Sequence, residues 1–336
     1  MGLSDDLRGR VARLSSQFWA DAEVVDSAPT VPREHLSAMA DSGLYGIFAP
    51  AADGGLGLAY AETCAVVEAL ASSCLASTFV WVQHFRFLGA MLDPGTPAAL
   101  REAFTTPAVR GEVKAGVALT GLLPGPARLT AKAAPGGWSL EGEAPWVSGW
   151  GIVDLVFVVA RVPDESVVSI LLDATAHSGL SVTPLRLSAA NASATVKLSF
   201  RDVFVASDRV VAVQPYEAAR RQSEHLRLNG SFALGVAKRC CMLLGPSPLD
   251  EELASRRDAL DAADDEAMPL ARAAACELAV RAAHALAVRR GAGAAMAGDV
   301  AERLSREAAF LLVFGSRAGI KEALLRGFHA LVAPEV

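Results

Sequence analysis

The cysteines and histidines of this sequence lack the spacing of a catalytic or metal-binding motif. Five cysteines lie at positions 64, 74, 240, 241 and 276, and no two of them form a Cys-x-x-Cys pair. The six histidines show neither His-x-x-x-His nor His-Glu-x-x-His spacing. We therefore expect no metal site and no disulfide framework, and we predict reduced thiols buried in the core.

A loop between two helical runs is the clearest place for chemistry, and it lies in the stretch FLLVFGSRAGIKEALL, residues 310–325. Its first apolar run ends at Phe314, and the Gly-Ser-Arg-Ala-Gly segment follows. A loop placed in this way could hold an active site, yet only apolar residues directly precede its Gly-Ser. A phenylalanine cannot accept a proton, so the loop supplies no base at this point.

The composition predicts a chain built largely of packed helices and narrows the range of partners. The 336 residues are enough for two domains or three small ones, and 52% of them are hydrophobic. The net charge is −6 and no basic block occurs, which argues against nucleic acid as a partner. No apolar run reaches about 18 residues and the first residues lack a signal-peptide core, so we expect no membrane span and a cytoplasmic location.

The periodicity of apolar residues changes twice along the chain and predicts three domains. Residues 1–108 have helical spacing, with Gly43 at an expected helix end. Residues 109–214 contain six to eight short alternating strands between Gly and Pro turns, typical of an antiparallel sandwich or barrel. Residues 215–336 return to helical spacing and predict a shortened bundle.

Two helix boundaries in the last segment are predicted from local signals. The pattern is continuous over residues 216–244 and indicates one long helix. A second helix is expected to begin at Ser247, with Glu251 completing an arrangement like a capping box.

Five local motifs occur in a fixed order along the chain. They are MADSGLYGIFAPAADGGLGLAYAETCAVVEALA, GVALTG, GGWSLEGEAPWVSGWGIVDLVFVVAR, LSFRDVFVASDRVV and AERLSREAAFLLVFGSRAGI. Their order and spacing resemble those of the acyl-CoA dehydrogenase family over nearly the whole chain. The resemblance implies an α+β fold with an N-terminal helical domain, a middle antiparallel β-sandwich or barrel and a C-terminal four-helix bundle.

The resemblance also implies a reaction, a cofactor and an assembly. Family members dehydrogenate acyl thioesters in lipid metabolism: a carboxylate removes the α-proton and the β-hydrogen passes as hydride to FAD. The thioester is carried by CoA or by a carrier protein. The flavin lies between the middle domain and the bundle, and subunits associate as dimers or tetramers. A homo- or hetero-oligomer is therefore expected here.

The residues that match the family's flavin-ring contacts are Leu119, Thr120, Trp146 and Ser148. A small hydroxyl group near the flavin and an aromatic wall beside it would suit this chemistry. Where the family continues with Glu-Pro and then Gly-Ser-Asp, this sequence has GLLPGPARL, and the polar groups are missing.

The part of the family's site that holds the adenylate end of FAD is reduced in this sequence. The Arg-x-x-Phe-Gly element that reaches a neighbouring subunit has no counterpart, and Arg256 and Arg257 are the nearest cations. The pyrophosphate-binding glycines match Gly291 and Gly293, whose missing side chains would permit a close approach of the backbone.

The position of the family's catalytic glutamate matches Phe314, with Gly315 and Ser316 in the places of Gly and Thr. Some family members carry the base on the first long bundle helix, where the residues nearest that position are His225 and Glu224. Neighbouring helical residues point about 100° apart, so at most one of the two would face the cleft. Glu307 is expected to pair with an arginine instead.

Four functions are compatible with these residues. The first is a base-lacking subunit that completes a partner's site in a hetero-oligomer, which the loss of both base and adenylate contacts favours. The second is a self-sufficient dehydrogenase that uses His225 or Glu224. The third is a flavin-dependent monooxygenase of the same fold, and the fourth is a binding protein without flavin.

Overall fold

The first third of the chain is helical in the computed structural model, which describes residues 3–222 and 226–330. Helix α1 buries Leu7, Val11, Leu14 and Phe18 at intervals of three and four residues, so one face of it packs inward. The helices of this segment are α1 Asp5–Ser27, α2 Arg33–Asp41, α3 Tyr60–Ala71, α4 Leu75–Leu92 and α5 Ala98–Arg110.

The middle of the chain forms a single mixed sheet in the order β6-β7-β3-β2-β4-β5-β8, with β1 beside β4. Strand β1 runs parallel to β4, β2 pairs with β4 in parallel at one position, and the other pairs are antiparallel. The strands are β1 Ala115–Ala118, β2 Leu129–Ala134, β3 Gly137–Val147, β4 Leu155–Arg161, β5 Ser166–Asp173, β6 Leu180–Pro184, β7 Val196–Ala206 and β8 Val210–Pro215.

Strand β4 is buried because other parts of the chain cover both of its faces. Phe157 and its neighbours on one face pack against Phe87 and Met91 of α4. Val156 and Val158 on the other face belong to the main core, which the other strands share with the helices. This double burial explains why β4 is almost continuously apolar in sequence.

The last segment is a bundle arranged around one alanine-rich helix, α9. Its small side chains let α7, α8, α10 and α11 pack closely around it. The helices are α6 Tyr216–Gln222, α7 Leu226–Leu244, α8 Pro248–Ala262, α9 Met268–Arg290, α10 Val300–Val313 and α11 Ala318–Ala330.

Helix α1 is tied directly to this bundle. The indole of Trp19 lies beside two guanidinium groups: its ring centroid is 4.0 Å from the guanidinium carbon of Arg239 and 5.1 Å from that of Arg303. Nη2 of Arg306 donates a hydrogen bond to Oδ2 of Asp26 at 2.5 Å. The first and last parts of the chain therefore form one packed body around the bundle.

The fold predicted from the sequence is confirmed, with corrections to its details. The sheet is mixed rather than wholly antiparallel, because β1 enters beside β4 in the same direction. The backbone N–H of Ser247 donates to the carboxylate of Asp250 at 2.8 Å, so Asp250 and not Glu251 caps α8. Residues 216–222 and 226–244 are helical as predicted, and the predicted helix between them lies outside the described residues.

Three further predictions concern the cysteines, the conformation of Gly43 and membrane-spanning helices. All five cysteines are buried and form no disulfide, as predicted. Gly43 has φ +75°, the left-handed conformation expected of a glycine that follows a helix. Within the described residues no helix combines the length and apolarity needed to cross a membrane.

Candidate functional site

Leu119 and Thr120 lie at the end of β1, where the chain turns into a short 3₁₀ segment, Thr120–Leu122. Thr120 is buried. Arg161 holds this turn from β4, since Nε donates to the carbonyl of Gly121 and Nη2 to that of Leu123, both at 3.1 Å. The loop that replaces the family's polar segment is therefore fixed by an arginine of the sheet.

Trp146 and Ser148 lie at the end of β3 and differ sharply in exposure. Trp146 has φ +66°, which is rare for a bulky residue, and its side chain is 64% exposed. Ser148 is only 2% exposed, and its Oγ lies 2.8 Å from Oγ1 of Thr195. That threonine hydroxyl is also 2.7 Å from Oγ of Ser193, so the three hydroxyl groups form a buried chain.

The structure brings these four predicted flavin contacts into one region. A Cβ atom on Gly116 of β1 would lie 2.7 Å from the carbonyl oxygen of Ser148, so β1 and the end of β3 are in close contact. The four side chains nevertheless fit a flavin incompletely. Trp146 offers an open aromatic face, whereas the hydroxyl of Ser148 is covered and already bonded.

Gly291 and Gly293 lie apart from this region, in a 3₁₀ turn at the end of α9 that packs against α9 and α10. A Cβ atom at either position would meet nothing within 4 Å. Gly291 directly follows α9 and has φ +68°, a conformation that favours glycine. This backbone conformation alone explains the glycine at this position. Close approach of a pyrophosphate stays a prediction.

The two arginines nearest to the missing adenylate element are both engaged in ion pairs. Arg257 of α8 forms a two-point pair with the buried Glu68 of α3, at 2.7 and 2.9 Å. Arg256 binds Glu252 within α8 at 2.9 Å. Arg257 thus has a defined role in joining two helices.

Phe314 at the predicted base position belongs to a cluster of four aromatic rings, which we call the aromatic cluster: Phe79, Phe232, Phe310 and Phe314. The ring centroid of Phe314 lies 4.9 Å from that of Phe79 and 5.7 Å from that of Phe232, and both contacts are edge to face. It stacks at 5.8 Å on Phe310. The space between α4, α7 and α10 is therefore filled by packed apolar rings at this point.

The residues around Phe314 complete this description. Gly315 has φ +59°, and a Cβ atom there would lie 2.9 Å from Nδ2 of Asn229, so both conformation and space favour glycine. Ser316 is exposed. The two candidate bases, Glu224 and His225, lie outside the described residues.

Glu307 is the buried carboxylate closest in sequence to the aromatic cluster, and it pairs as expected. Oε1 lies 3.9 Å from Nε of Arg303, in a pair that is buried on both sides. Burial raises the pKa of Glu307 to about 7. The positive charge of Arg303 has the next largest effect and acts in the opposite direction. This carboxyl group is held inside the bundle.

Stability is expected to depend on pH through Glu307. A carboxyl group whose pKa is raised on folding stabilises the fold in its protonated form, and that stabilisation is lost as the pH rises from 4.5 to about 7. Over this window we expect the free energy of unfolding to fall by about 1 kcal/mol per pH unit.

Urea unfolding of the wild type and of Glu307→Gln at several pH values measures this slope. The variant should lose the slope, whereas Glu322→Gln, at an exposed position of α11, should retain it. An unchanged slope in Glu307→Gln would show that another group is responsible.

A cavity of about 620 Å³ opens between the C-terminal half of α4, the start of α3, β8 and the start of α7. Phe79 and Arg86 are seven residues apart in α4, so the cavity lies along the same helix face as the aromatic cluster. Leu228 lines the cavity two residues after α7 begins. Its volume is typical of small-molecule sites.

Sequence reasoning missed the polar groups of this cavity. Arg86 and Thr63 both line it, and neither Arg86 Nε nor Thr63 Oγ1 has a hydrogen-bond partner in the described part of the chain. A signal was present in the sequence, because Arg86 is the one charged residue of α4, LASTFVWVQHFRFLGAML.

Comparison with known proteins relates the chain to one family. Residues 4–112 match the model of the acyl-CoA dehydrogenase N-terminal domain. The solved complex of glutaryl-coenzyme A dehydrogenase with glutaryl-CoA superposes with a TM-score of 0.81 at 16% identity, covering 99% of this chain and 97% of that one. At this identity the likeness shows the fold alone.

Two related proteins are similar over part of their length. The 3-sulfinopropanoyl-CoA desulfinase of Variovorax paradoxus is 28% identical over 173 residues, which are 48% of this chain and 42% of that protein. The benzylmalonyl-CoA dehydrogenase of Aromatoleum aromaticum is 25% identical over 244 residues, 68% of this chain and 63% of that protein. In both cases the chain spans less than two thirds of the relative's length.

Proposed function

Because the chain has the acyl-CoA dehydrogenase fold and contains that family's N-terminal domain, we propose that it acts in the α,β-dehydrogenation of an acyl thioester. In this proposal it is the base-lacking subunit of a hetero-oligomer, and the partner is a second chain of the same family that carries the glutamate. The assembly is an oxidoreductase whose FAD receives the hydride.

The aromatic cluster carries this proposal. A catalytic carboxylate must reach the α-carbon of the substrate, which needs an acceptor oxygen within hydrogen-bonding distance of the proton. Phe314 has no such oxygen, and three neighbouring rings hold it in place. The incomplete fit of the flavin contacts supports the same conclusion, because Ser148 is covered and Arg257 is engaged by Glu68.

The absorbance spectrum of the purified chain, with and without added FAD, tests the proposal. We expect no flavin absorbance and no thioester oxidation with an artificial electron acceptor when the chain is alone. Co-expression with a partner of the same family that retains the glutamate should restore both. Flavin bound at near one per chain, with turnover in the absence of a partner, would contradict the base-lacking role.

A self-sufficient dehydrogenase is the second candidate, and the position of the cavity favours it. Leu228 of α7 lines the cavity, and the candidate base His225 lies three residues before it in the sequence. If the chain alone oxidises thioesters, separate His225→Gln and Glu224→Gln variants identify the base. Flavin binding without thioester oxidation would instead indicate a monooxygenase.

A further inference from the structure

Arg86 is a charged side chain in an apolar wall, and it has no ionic partner within residues 3–222 and 226–330. It extends over the ring of Phe157, with its guanidinium carbon 5.4 Å from the ring centroid. No carboxylate of the described residues lies within 4 Å of it, and its Nε is both inaccessible to solvent and unbonded. Burial lowers the pKa of Arg86, and the negative charge of Asp93 acts in the opposite direction with a smaller effect.

The nearest negative charge does not neutralise Arg86. Asp93 also lines the cavity, but it is exposed, and its Oδ1 accepts a hydrogen bond from the backbone N–H of Gly95 at 2.8 Å. Asp93 directly follows the last residue of α4, about two turns beyond Arg86. The cavity therefore contains a guanidinium group that is free to bind a ligand.

A second unsatisfied group lies in the wall of the same cavity. Thr63 of α3 is 2% exposed, and its hydroxyl group has no hydrogen-bond partner in the described ranges. A buried hydroxyl group without a partner is unfavourable, and so is a buried charge without one. Two such groups lie on different helices in the wall of one cavity, and a ligand with oxygen atoms directed at this wall would give both a partner.

The other residues that line the cavity indicate the chemical character of the rest of the ligand. Apolar side chains dominate, among them Phe48, Phe85, Val213 and Leu228. A single guanidinium group with one hydroxyl group matches the charge and two oxygens of a carboxylate. The apolar walls match a hydrocarbon or aromatic body.

We propose that this cavity binds the carboxylate of a small, largely apolar organic acid, with Arg86 as the charged contact and Thr63 as the hydroxyl contact. Arg86 then determines the preference for an anion. The site is defined by α3, α4 and the sheet, so the inference does not depend on flavin binding or on dehydrogenation.

Calorimetric titration of the full chain with hexanoate, hexanedioate and 3-phenylpropanoate, each compared with its neutral amide, tests the proposal. At least one carboxylate should bind about 10- to 100-fold more tightly than its amide. Arg86→Gln should abolish this preference and Thr63→Val should weaken it. Arg201→Gln, at an exposed position of β7 near the edge of the sheet opposite β8, should have no effect.

Thermal unfolding distinguishes a binding role of Arg86 from a structural one. If Arg86 is held for a ligand, Arg86→Leu should raise the melting temperature of the ligand-free chain while abolishing carboxylate binding. A lowered melting temperature would assign Arg86 to the fold and overturn the proposal. Equal affinity for acids and amides, or no saturable binding of any of the three acids, would overturn it as well.

Discussion

Arg257→Ala is expected to lower the free energy of unfolding by about 3–5 kcal/mol. The reason lies in Glu68, which is 4% exposed and receives two hydrogen bonds from the guanidinium group. Removing the arginine leaves a buried carboxylate without its counter-charge. Denaturant unfolding of the variant at neutral pH measures the loss.

The neighbouring residue provides a matched control for this prediction. Arg256 pairs with Glu252 four residues away on the same helix, and both side chains are partly exposed. Arg256→Ala should therefore cost less than about 1 kcal/mol. The double variant Glu68→Gln with Arg257→Ala should recover part of the loss. Equal effects of the two arginine substitutions would mean that burial of Glu68 is not the cause.

Gly235→Ala is expected to cost about 3 kcal/mol, through crowding between α3 and α7. A Cβ atom at this position would lie 2.7 Å from the carbonyl oxygen of Glu68, 2.8 Å from Cβ of Ala71 and 2.9 Å from the backbone nitrogen of Ser72. Two of these atoms belong to the backbone of α3, which cannot rotate away. The two helices would have to move apart.

Substitution of a second glycine is the control that distinguishes crowding from the general effect of alanine in a helix. Gly89 lies within α4, and a Cβ atom there would meet nothing within 4 Å. Gly89→Ala should stabilise the chain by about 0.5–1 kcal/mol, because glycine is the poorer helix former. Urea unfolding of both variants compares them directly, and destabilisation by both would contradict the crowding explanation.

Much of the fold follows from local sequence patterns. The amphipathic repeat of α1 and the alanine-rich sequence of α9 each dictate one kind of element. The direction of β1 could not be predicted in the same way. Its pairing with β4 depends on residues about 40 positions away, and four residues, Ala115–Ala118, carry too little pattern to indicate a partner.

The candidate site was predictable only in part. The replacement of a carboxylate by Phe314 is visible in the sequence, but its packing against Phe79 and Phe232 requires three helices to meet. Arg86 was visible as one charge in an apolar helix. Its lack of a partner in the described part of the chain depends on the side chains of every neighbouring element, and such a property of the whole fold cannot be predicted from a local sequence pattern.

The contact between Asp26 and Arg306 joins residues separated by 280 positions. On a ribosome that adds about 5–20 residues per second, roughly 15–60 s pass between synthesis of the two. Trp19 and Arg303 are slightly further apart in the sequence, so the interval between their synthesis is slightly longer. During that interval α1 has α3 to pack against but not its later partners. The bundle thus packs onto helices that were synthesised earlier, and its contacts with α1 form only after α10 has been synthesised.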